Sequence, residues 1–158
     1  MASTTGNQGG GKRQNIIALR RKARHYALQA LYQWHMAGAA LSDIEAEFRA
    51  DYNFNKVDLV FFQDLTHGVP AKIDELEALI LPSLKDRSLD ELDPIERAVL
   101  RMGTYELTQR IDVPYKVVIN ESVALAKKFG AAESHKYVNG VLDKIAKKVR
   151  QVEINAAL

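Results

Sequence analysis

The sequence predicts an all-α protein, with about seven helices in two small packed helical bundles. Apolar residues recur at steps of three and four through most of the 158 positions, which is the spacing of one helix face. No segment shows the apolar–polar alternation between turn dipeptides that is typical of strands. We expect one compact domain over residues 15–150, with a flexible N-terminal tail over 1–14 and a C-terminal tail over 151–158.

The first predicted helix begins at about Ile16 and ends at Ala37, because Gly38 follows. The spacing predicts a core face on this helix, formed by Ile16, Leu19, Ala23, Ala27, Ala30 and Trp34. Ser42 and Glu45 have the spacing of a capping box, which predicts the start of a second helix.

Asn55 is the predicted N-cap of a third helix, which should end near Gly68. A fourth helix is expected over residues 73–82. The loop over residues 83–93 is the candidate boundary between the two bundles.

The clearest helix start lies before the fifth helix. Asp93 can cap it, Pro94 fits the first helical position because its missing N–H is not needed there, and Glu96 can close a capping box. Proline and glycine then bound a sixth helix over residues 114–130, and a last helix is expected at about 134–149.

The composition excludes several classes of protein. Hydrophobic residues make up 47% and charged residues 27%, as in ordinary globular domains. No apolar run approaches the ~18–20 residues of a membrane span, and the N-terminus lacks the apolar core of a signal peptide. The absence of cysteine excludes disulfides and thiolate metal sites, and a cytoplasmic location is the simplest interpretation.

No pattern in the chain indicates catalysis, a cofactor or a metal. The four histidines form no H-x-x-x-H or H-x-H pair, and no serine has the setting of a nucleophile elbow. Residues 6–12 match the glycine and lysine spacing of a phosphate-binding loop. Arg13 stands where that loop needs serine or threonine, so a flexible tail is the preferred interpretation.

Charge is unevenly distributed, although the net charge is only +2. Residues 1–42 carry six bases and no acid. Residues 43–115 carry 16 acids against 8 bases, and residues 116–158 carry 8 bases against 4 acids. Two basic ends around an acidic middle favour a polyanion partner, provided that the ends meet in space.

The first helix carries a second set of residues away from its predicted core face. Because successive helix residues turn by about 100°, Arg20, Arg21 and Arg24 form a basic ridge with Leu28 and Tyr32 beside it. One interpretation is that Leu28 and Tyr32 pack under another helix of the same chain. The other is that they form a docking patch for a partner protein while the arginines reach an RNA backbone.

The start of the last helix is a second candidate site. A helix N-terminus offers free N–H groups to a phosphate, and Lys136 adds positive charge there. Tyr137 either stacks on an unpaired base or belongs to the core.

Three stretches together resemble the NusB family of bacterial transcription antitermination factors. They contain the motifs RRKAR…ALQALY from residue 20, IERAVLR…YEL from residue 95 and VPYKVVINE…ALAK…FG…SHKYVNGVLD from residue 113. The resemblance covers about residues 18–150, and the third stretch is the longest and most specific.

The resemblance implies an all-helical, non-enzymatic protein that binds the boxA element of nascent RNA together with NusE, which is also a small-subunit ribosomal protein. It implies that the complex acts on RNA polymerase, so that transcription of ribosomal RNA operons continues through terminators. The sequence is compatible with a monomer or a homodimer of the free protein.

The resemblance also assigns roles to individual residues. It implies RNA contacts for Arg20, Arg21, Lys22, Arg24, Glu133, Ser134, His135, Lys136 and Tyr137. It implies NusE contacts for Tyr32 and Glu96, and the helical spacing adds Leu28 to this partner-binding set. The chain departs from the family pattern at Glu133, where aspartate is the usual residue, and in its longer N-terminal tail, where contacts by Lys12 and Arg13 are left open.

The sequence also resembles the N-terminal RNA-binding domain of a ribosomal RNA cytosine methyltransferase family. That family needs a cysteine thiolate as nucleophile for transfer to cytosine C5, and this chain has no cysteine. A binding protein for RNA and a partner protein is therefore favoured over a methyltransferase.

Overall fold

The computed structural model describes the backbone of residues 4–157 and the side chains of residues 15–157. The described chain contains α1 (Thr4–Ala37), α2 (Leu41–Asp51), α3 (Leu59–Ala71), α4 (Ile73–Ile80), α5 (Pro94–Gln109), α6 (Tyr115–Phe129), α7 (Ser134–Val149) and α8 (Gln151–Ala156). Three short 3-10 turns lie at Phe54–Lys56, Leu81–Ser83 and Leu89–Glu91. No strand occurs between residues 4 and 157, so the all-α prediction is confirmed.

Helical backbone extends beyond the predicted domain at both ends. α1 is helical from Thr4, whereas the composition predicts a flexible tail through residue 14. At the other end, α8 lies within the segment that is expected to form a C-terminal tail. It is held in place because the Glu153 carboxylate accepts a hydrogen bond from Tyr115 N at 3.0 Å and one from Arg150 Nη1 at 2.6 Å. The division into one domain with two tails stays a prediction.

The chain forms two compact units that meet in sequence between Thr66 and His67, inside α3. The sequence places this boundary in the loop over residues 83–93, and that prediction is wrong. Leu84 and Leu92, at either end of the loop, are 6% and 5% exposed, so the segment is packed into the second unit.

Aromatic rings fill much of the first unit. The Tyr26 ring centroid on α1 lies 4.8 Å from that of Tyr52, after α2, and is stacked on Phe54 at 5.6 Å. Phe54 meets Phe62 of α3 edge-on at 5.1 Å, and Phe48 of α2 lies 5.4 Å from Tyr52. Each such pair contributes about 0.5–1.5 kcal/mol beyond the apolar area that it buries. The cluster therefore ties α1, α2 and α3 together.

The start of α2 differs from the capping-box prediction at Ser42 and Glu45. The helix begins at Leu41, and its N-cap residue Ala40 has no side-chain acceptor. The Glu45 carboxylate instead accepts a hydrogen bond from Gln63 Nε2 at 2.6 Å, which joins α2 to α3.

The start and end of α3 also differ from prediction. Asp58 Oδ1 accepts the backbone N–H of Phe61 at 3.0 Å, so Asp58 and not Asn55 caps the helix. Asn55 lies in the preceding 3-10 turn, where its N–H donates to Asn53 Oδ1. The helix continues through Gly68 to Ala71.

The second unit is built around α5, whose residues 98–107 are all buried. Its predicted N-terminus is confirmed, because Asp93 Oδ1 accepts the N–H of Ile95 at 2.7 Å and Pro94 is the first helical residue. α6 and α7 also lie where the sequence predicts them. A Cβ on Gly103 would lie 2.9 Å from Leu142 Cδ1, so a side chain at that position of α5 would require Leu142 of α7 to shift.

A charged cluster joins α4 to α5 within the second unit. Glu77 Oε1 accepts hydrogen bonds from Arg97 Nη2 and Arg101 Nε, each at 3.0 Å. Burial alone would raise the pKa of the Glu77 carboxyl, but the hydrogen bonds and charges of Arg101 and Arg97 outweigh burial and hold the pKa below its usual value. The ionised carboxylate therefore stabilises the fold.

The Glu77→Gln variant should lose about 1–2 kcal/mol of unfolding free energy at pH 7, because it removes charge-assisted hydrogen bonds from a partly exposed group. A lowered pKa means that the contribution is complete above the unfolded pKa near 4.5 and disappears as the pH falls through the folded value. Denaturant unfolding of both proteins at pH 7 and pH 3 measures this difference.

The matched control is Glu75→Gln, which removes an exposed acid from the same helix. Glu75 pairs with Lys72 only at 3.8 Å and is 71% exposed, so a small change is expected. A stability difference for Glu77→Gln that grows toward pH 3 would contradict the interpretation of the cluster.

Candidate nucleic-acid interface

The basic ridge of α1 divides into exposed and packed side chains. Arg21 and Lys22 are exposed. Arg24 is only 4% exposed, and its guanidinium lies 4.9 Å above the ring of Phe61. Arg20 lies 4.8 Å from the same ring and pairs with Asp58 at 3.6 Å. Of the four RNA contacts predicted on α1, Arg21 and Lys22 are exposed to solvent, while Arg20 and Arg24 attach α1 to α3 and the residue that caps it.

The predicted docking patch consists of Leu28 and Tyr32, and the prediction is wrong for Leu28. Leu28 is 0% exposed, so it belongs to the core of the same chain and offers no surface to a partner. Leu28 is covered because α1 packs against α2, the turn at Phe54–Lys56 and α3, and not on one side only. A helix covered from several directions buries a wider arc than an amphipathic surface helix.

Tyr32 is exposed, as the docking hypothesis requires. It is 36% exposed, and Met36 on the next turn of α1 is 56% exposed. Residues four apart lie on the same face of a helix. Tyr32 and Met36 thus form an exposed apolar pair near the C-terminal end of α1, and sequence reasoning missed Met36 because it lies close to the predicted helix end. Ile16 and Ile17, nearer the start of α1, are also exposed, although Ile16 was predicted to belong to the core face.

The first turn of α7 contains side chains in different environments. Ser134 is 6% exposed, and its hydroxyl makes no hydrogen bond, so its predicted RNA contact is not supported. His135 is half-buried, whereas Lys136 is exposed. Glu133 precedes the helix in the left-handed conformation, and its carboxylate lies 2.7 Å from Lys136 Nζ.

The Glu133→Gln variant should bind RNA up to about fivefold more tightly, because it removes a negative charge and releases Lys136 from an exposed ion pair. RNA titrations at one fixed salt concentration measure the change. The matched control is Asp143→Asn, which breaks the exposed Asp143–Lys147 pair later in α7. Weaker RNA binding by Glu133→Gln would show that the acid itself contributes to the contact.

Arg87 connects two of the predicted site residues within the second unit. Its guanidinium lies 4.5 Å from the ring centroid of Tyr137, and Nη2 lies 3.5 Å from Glu96 Oε1. Nη2 also donates to the carbonyl of Glu91 at 3.2 Å. Glu96 is 7% exposed, so its carboxylate serves this internal pair and the predicted surface contact with a partner is not supported.

Tyr137 is half-buried, which is intermediate between the two predicted alternatives of a base-stacking residue and a core residue. Its hydroxyl oxygen is buried and interacts with the Arg87 guanidinium. Burial raises the pKa of this phenol, and the charge of Arg87 opposes that effect. The sequence contains no signal for the Arg87 contact, because Arg87 lies in a connection with no regular spacing.

The exposed cations of α1 and α7 are suited to binding an anion. Among the described residues, no group of three or more histidine, aspartate or glutamate side chains could hold a metal ion. Within the same part of the chain, no helix is both long enough and apolar enough to cross a lipid bilayer. The exposed cations of the predicted RNA-binding set are Arg21 and Lys22 on α1 in the first unit and Lys136 on α7 in the second. That these basic ends meet in space stays a prediction.

The fold and these surfaces define a class of all-helical proteins with two compact units and exposed basic residues on the first and last long helices. The sequence profile of the NusB family matches residues 21–147. The chain therefore belongs to the NusB family.

Relatives and solved structures agree with this assignment. The transcription antitermination protein NusB of Teredinibacter turnerae is 57% identical over 140 residues, which cover 89% of this chain and 95% of the relative. That of Pseudomonas fluorescens is 54% identical over 139 residues, covering 88% and 83%.

Two solved structures share the fold. T. maritima NusB matches with a TM-score of 0.72 and 33% identity, over 82% of this chain and 91% of that one. A structure of the antitermination factors NusB and NusE in complex with double-stranded RNA matches with a TM-score of 0.68 and 27% identity, over 81% and 96%.

Proposed function

We propose that this protein is a transcription antitermination factor that binds boxA RNA jointly with NusE. In this proposal the complex assembles on RNA polymerase and promotes transcription through terminators in ribosomal RNA operons. The observation that carries the proposal is the match to transcription antitermination proteins over 88–89% of the chain. The protein acts in the cytoplasm and by binding alone, without a catalytic step.

Charge on the surface supports RNA as one partner. Arg21 and Lys22 are exposed on a segment that contains no acid before Asp43. Lys136 is exposed at the start of α7, where the helix N-terminus adds positive potential. Contacts of lysine and arginine with phosphates provide affinity without sequence preference. Preference for boxA must therefore come from base contacts and from NusE.

An exposed apolar surface supports a protein as the second partner. Tyr32 and Met36 lie on adjacent turns of α1 and expose 36% and 56% of their surface. Tyrosine and methionine are enriched at protein–protein interfaces. We propose that this pair contacts NusE, which is found with NusB in the related RNA complex.

A reconstituted transcription assay tests the function directly. Purified RNA polymerase and NusE transcribe a template that carries boxA upstream of a terminator. Adding this protein should increase the read-through product, and a scrambled boxA should remove the increase. Equal read-through from the two templates would contradict the proposal.

The Arg21→Ala variant should bind RNA more weakly and with a smaller dependence on salt. If Arg21, Lys22 and Lys136 each meet a phosphate, the slope of log K against log salt for single-stranded RNA should be about −2, and the variant should reduce its magnitude by about 0.7. Titrations at several salt concentrations measure the slope.

The control variant is Arg49→Ala, which removes the same charge from an exposed position on α2. It should leave the slope unchanged, because Arg49 lies outside the acid-free segment. A salt-independent affinity of the wild-type protein, or equal effects of the two variants, would contradict the role of Arg21.

A further inference from the structure

A groove of about 530 Å³ lies in the second unit between α8, the end of α7 and the connection from α5 to α6. Ile111 lines this C-terminal groove from the connection, and Val152 and Ala156 line it from α8. Its volume lies within the range of about 300–1,000 Å³ that is typical of binding pockets. None of the residues implied to contact RNA or NusE lines it, so the C-terminal groove is separate from both predicted contact sets.

The two most exposed large apolar side chains among the described residues line this groove. Val152 is 85% exposed and Ile111 is 75% exposed. Exposed apolar residues that are scattered singly are ordinary on protein surfaces, whereas neighbouring ones mark interaction sites. Here two different segments of the chain present such residues to one concave surface. A partner that covered both side chains would remove apolar surface from water, which stabilises a complex.

The charged side chains of the wall determine what kind of segment fits. Lys148, Arg150 and Glu153 line the groove. The Glu153 carboxylate already accepts hydrogen bonds from Arg150 Nη1 and from Tyr115 N, so the acid is neutralised within the fold. Lys148 is exposed and forms no ion pair with any described residue. An occupant of the groove therefore meets apolar surface with one positive charge beside it, which complements an acidic group next to apolar ones.

The same chemistry argues against three other occupants. Residues 1–14 of this chain contain two bases and no acid, so the N-terminal segment does not complement Lys148. A second copy bound through the same groove would bring the two copies of Lys148 toward each other, because a two-fold interface pairs equivalent surfaces. RNA would place its charged backbone against Ile111 and Val152, and a single lysine would neutralise little of that charge. A segment of a different protein fits best.

We propose that the C-terminal groove binds a short acidic and apolar segment of a further partner protein. Large apolar side chains of this segment lie against Ile111 and Val152, and an aspartate or glutamate lies beside Lys148. An amphipathic helix with an acid at the edge of its apolar face has this chemistry. The contact goes beyond the joint binding of boxA RNA and NusE and does not depend on it.

Peptide selection on the full-length protein tests the proposal. Random peptides displayed on phage are selected for binding, and the recovered peptides are synthesised and titrated. They should carry large apolar residues next to aspartate or glutamate. Val152→Asp should weaken their binding at least about tenfold, because it removes an apolar contact and places an acid beside the acid of the peptide. The control Val60→Asp changes a residue of α3 that is 73% exposed, and it should bind the peptides as the wild type does.

A charge exchange tests the role of Lys148 separately. The acid of a recovered peptide is replaced by lysine, and both peptides are titrated with the wild type and with Lys148→Glu. The wild type should prefer the acidic peptide by about two- to fivefold, which is the size of an exposed ion pair, and Lys148→Glu should prefer the lysine peptide. Lys127→Glu makes the same change at an exposed position near the end of α6 and should keep the preference of the wild type.

Further measurements separate this proposal from loss of the fold and from the proposed function. Ile111→Asp, on the opposite wall of the groove, should weaken the peptides as Val152→Asp does, and both variants should melt as the wild type does. Both should also keep their affinity for boxA RNA and NusE, and a loss of either would assign the groove to those contacts and exclude a further partner. Recovery of no peptide that Val152→Asp weakens, or only of peptides without an acid, would overturn the proposal. Equal binding of boxA and scrambled RNA by the wild type would overturn the proposed function alone.

Discussion

The Tyr32→Asp variant is expected to bind NusE at least about thirtyfold more weakly while its fold remains intact. A buried aromatic anchor typically contributes 2 kcal/mol or more to an interface, which corresponds to this factor at 25 °C. The substitution should change the unfolding free energy little, since Tyr32 is exposed in the free protein. Calorimetric titration of NusE and a thermal unfolding curve measure the two quantities.

Two further variants distinguish loss of the NusE contact from loss of the fold. Tyr32→Phe keeps the ring and should retain most of the affinity. Leu28→Ala should instead lose about 2–5 kcal/mol of stability, because Leu28 is fully buried. A large fall in melting temperature for Tyr32→Asp would place Tyr32 in the core and exclude it from the NusE contact.

The Arg150→Ala variant is expected to lose about 2–4 kcal/mol of stability, because it removes several hydrogen bonds made by a buried charged group. Arg150 is 4% exposed and donates to the carbonyls of Glu106, Leu107 and Arg110 at 3.2, 2.8 and 2.9 Å. These carbonyls lie at the C-terminal end of α5, where helices lack internal donors. Alanine would remove the donor of the Leu107 carbonyl and release Glu153 of α8. The carbonyls of Glu106 and Arg110 would keep the N–H groups of Arg110 and Val113 as donors.

Denaturant unfolding compares Arg150→Ala with Arg110→Ala as a matched control. Arg110 pairs with Asp112 at 3.1 Å at the surface, and its removal should change stability by less than about 1 kcal/mol. Similar losses for the two variants would contradict the claim that Arg150 holds the end of α5.

Helix positions that depend on local chemistry were predictable from the sequence. Asp93 and Pro94 define the start of α5 because their signals act within one turn of the helix. Gly38 ends α1 in the left-handed conformation that glycine adopts easily, with φ of 65°. The start of α3 was missed because Asn55 and Asp58 are equally good caps, and only the packing of the preceding turn selects Asp58.

The candidate site was only partly predictable, because its residues depend on contacts between distant segments. Arg24 has the sequence setting of an RNA contact, yet Phe61 covers it from α3. Arg87 carries no sequence signal, since its importance comes from its contact with Tyr137, about fifty residues further along the chain. The exposure of Arg21, Lys22 and Lys136 agrees with the sequence prediction, but whether they meet RNA stays a prediction.

Joint RNA binding by this protein and NusE is the most direct test of the proposed antitermination function. The pure protein is titrated into boxA RNA and a scrambled control at one fixed salt concentration, with and without NusE. We expect weak and similar binding of the two RNAs by the protein alone, and a large gain in affinity for boxA when NusE is added. Equal affinities for boxA and the scrambled RNA, both with and without NusE, would contradict the proposal that this protein and NusE recognise boxA together.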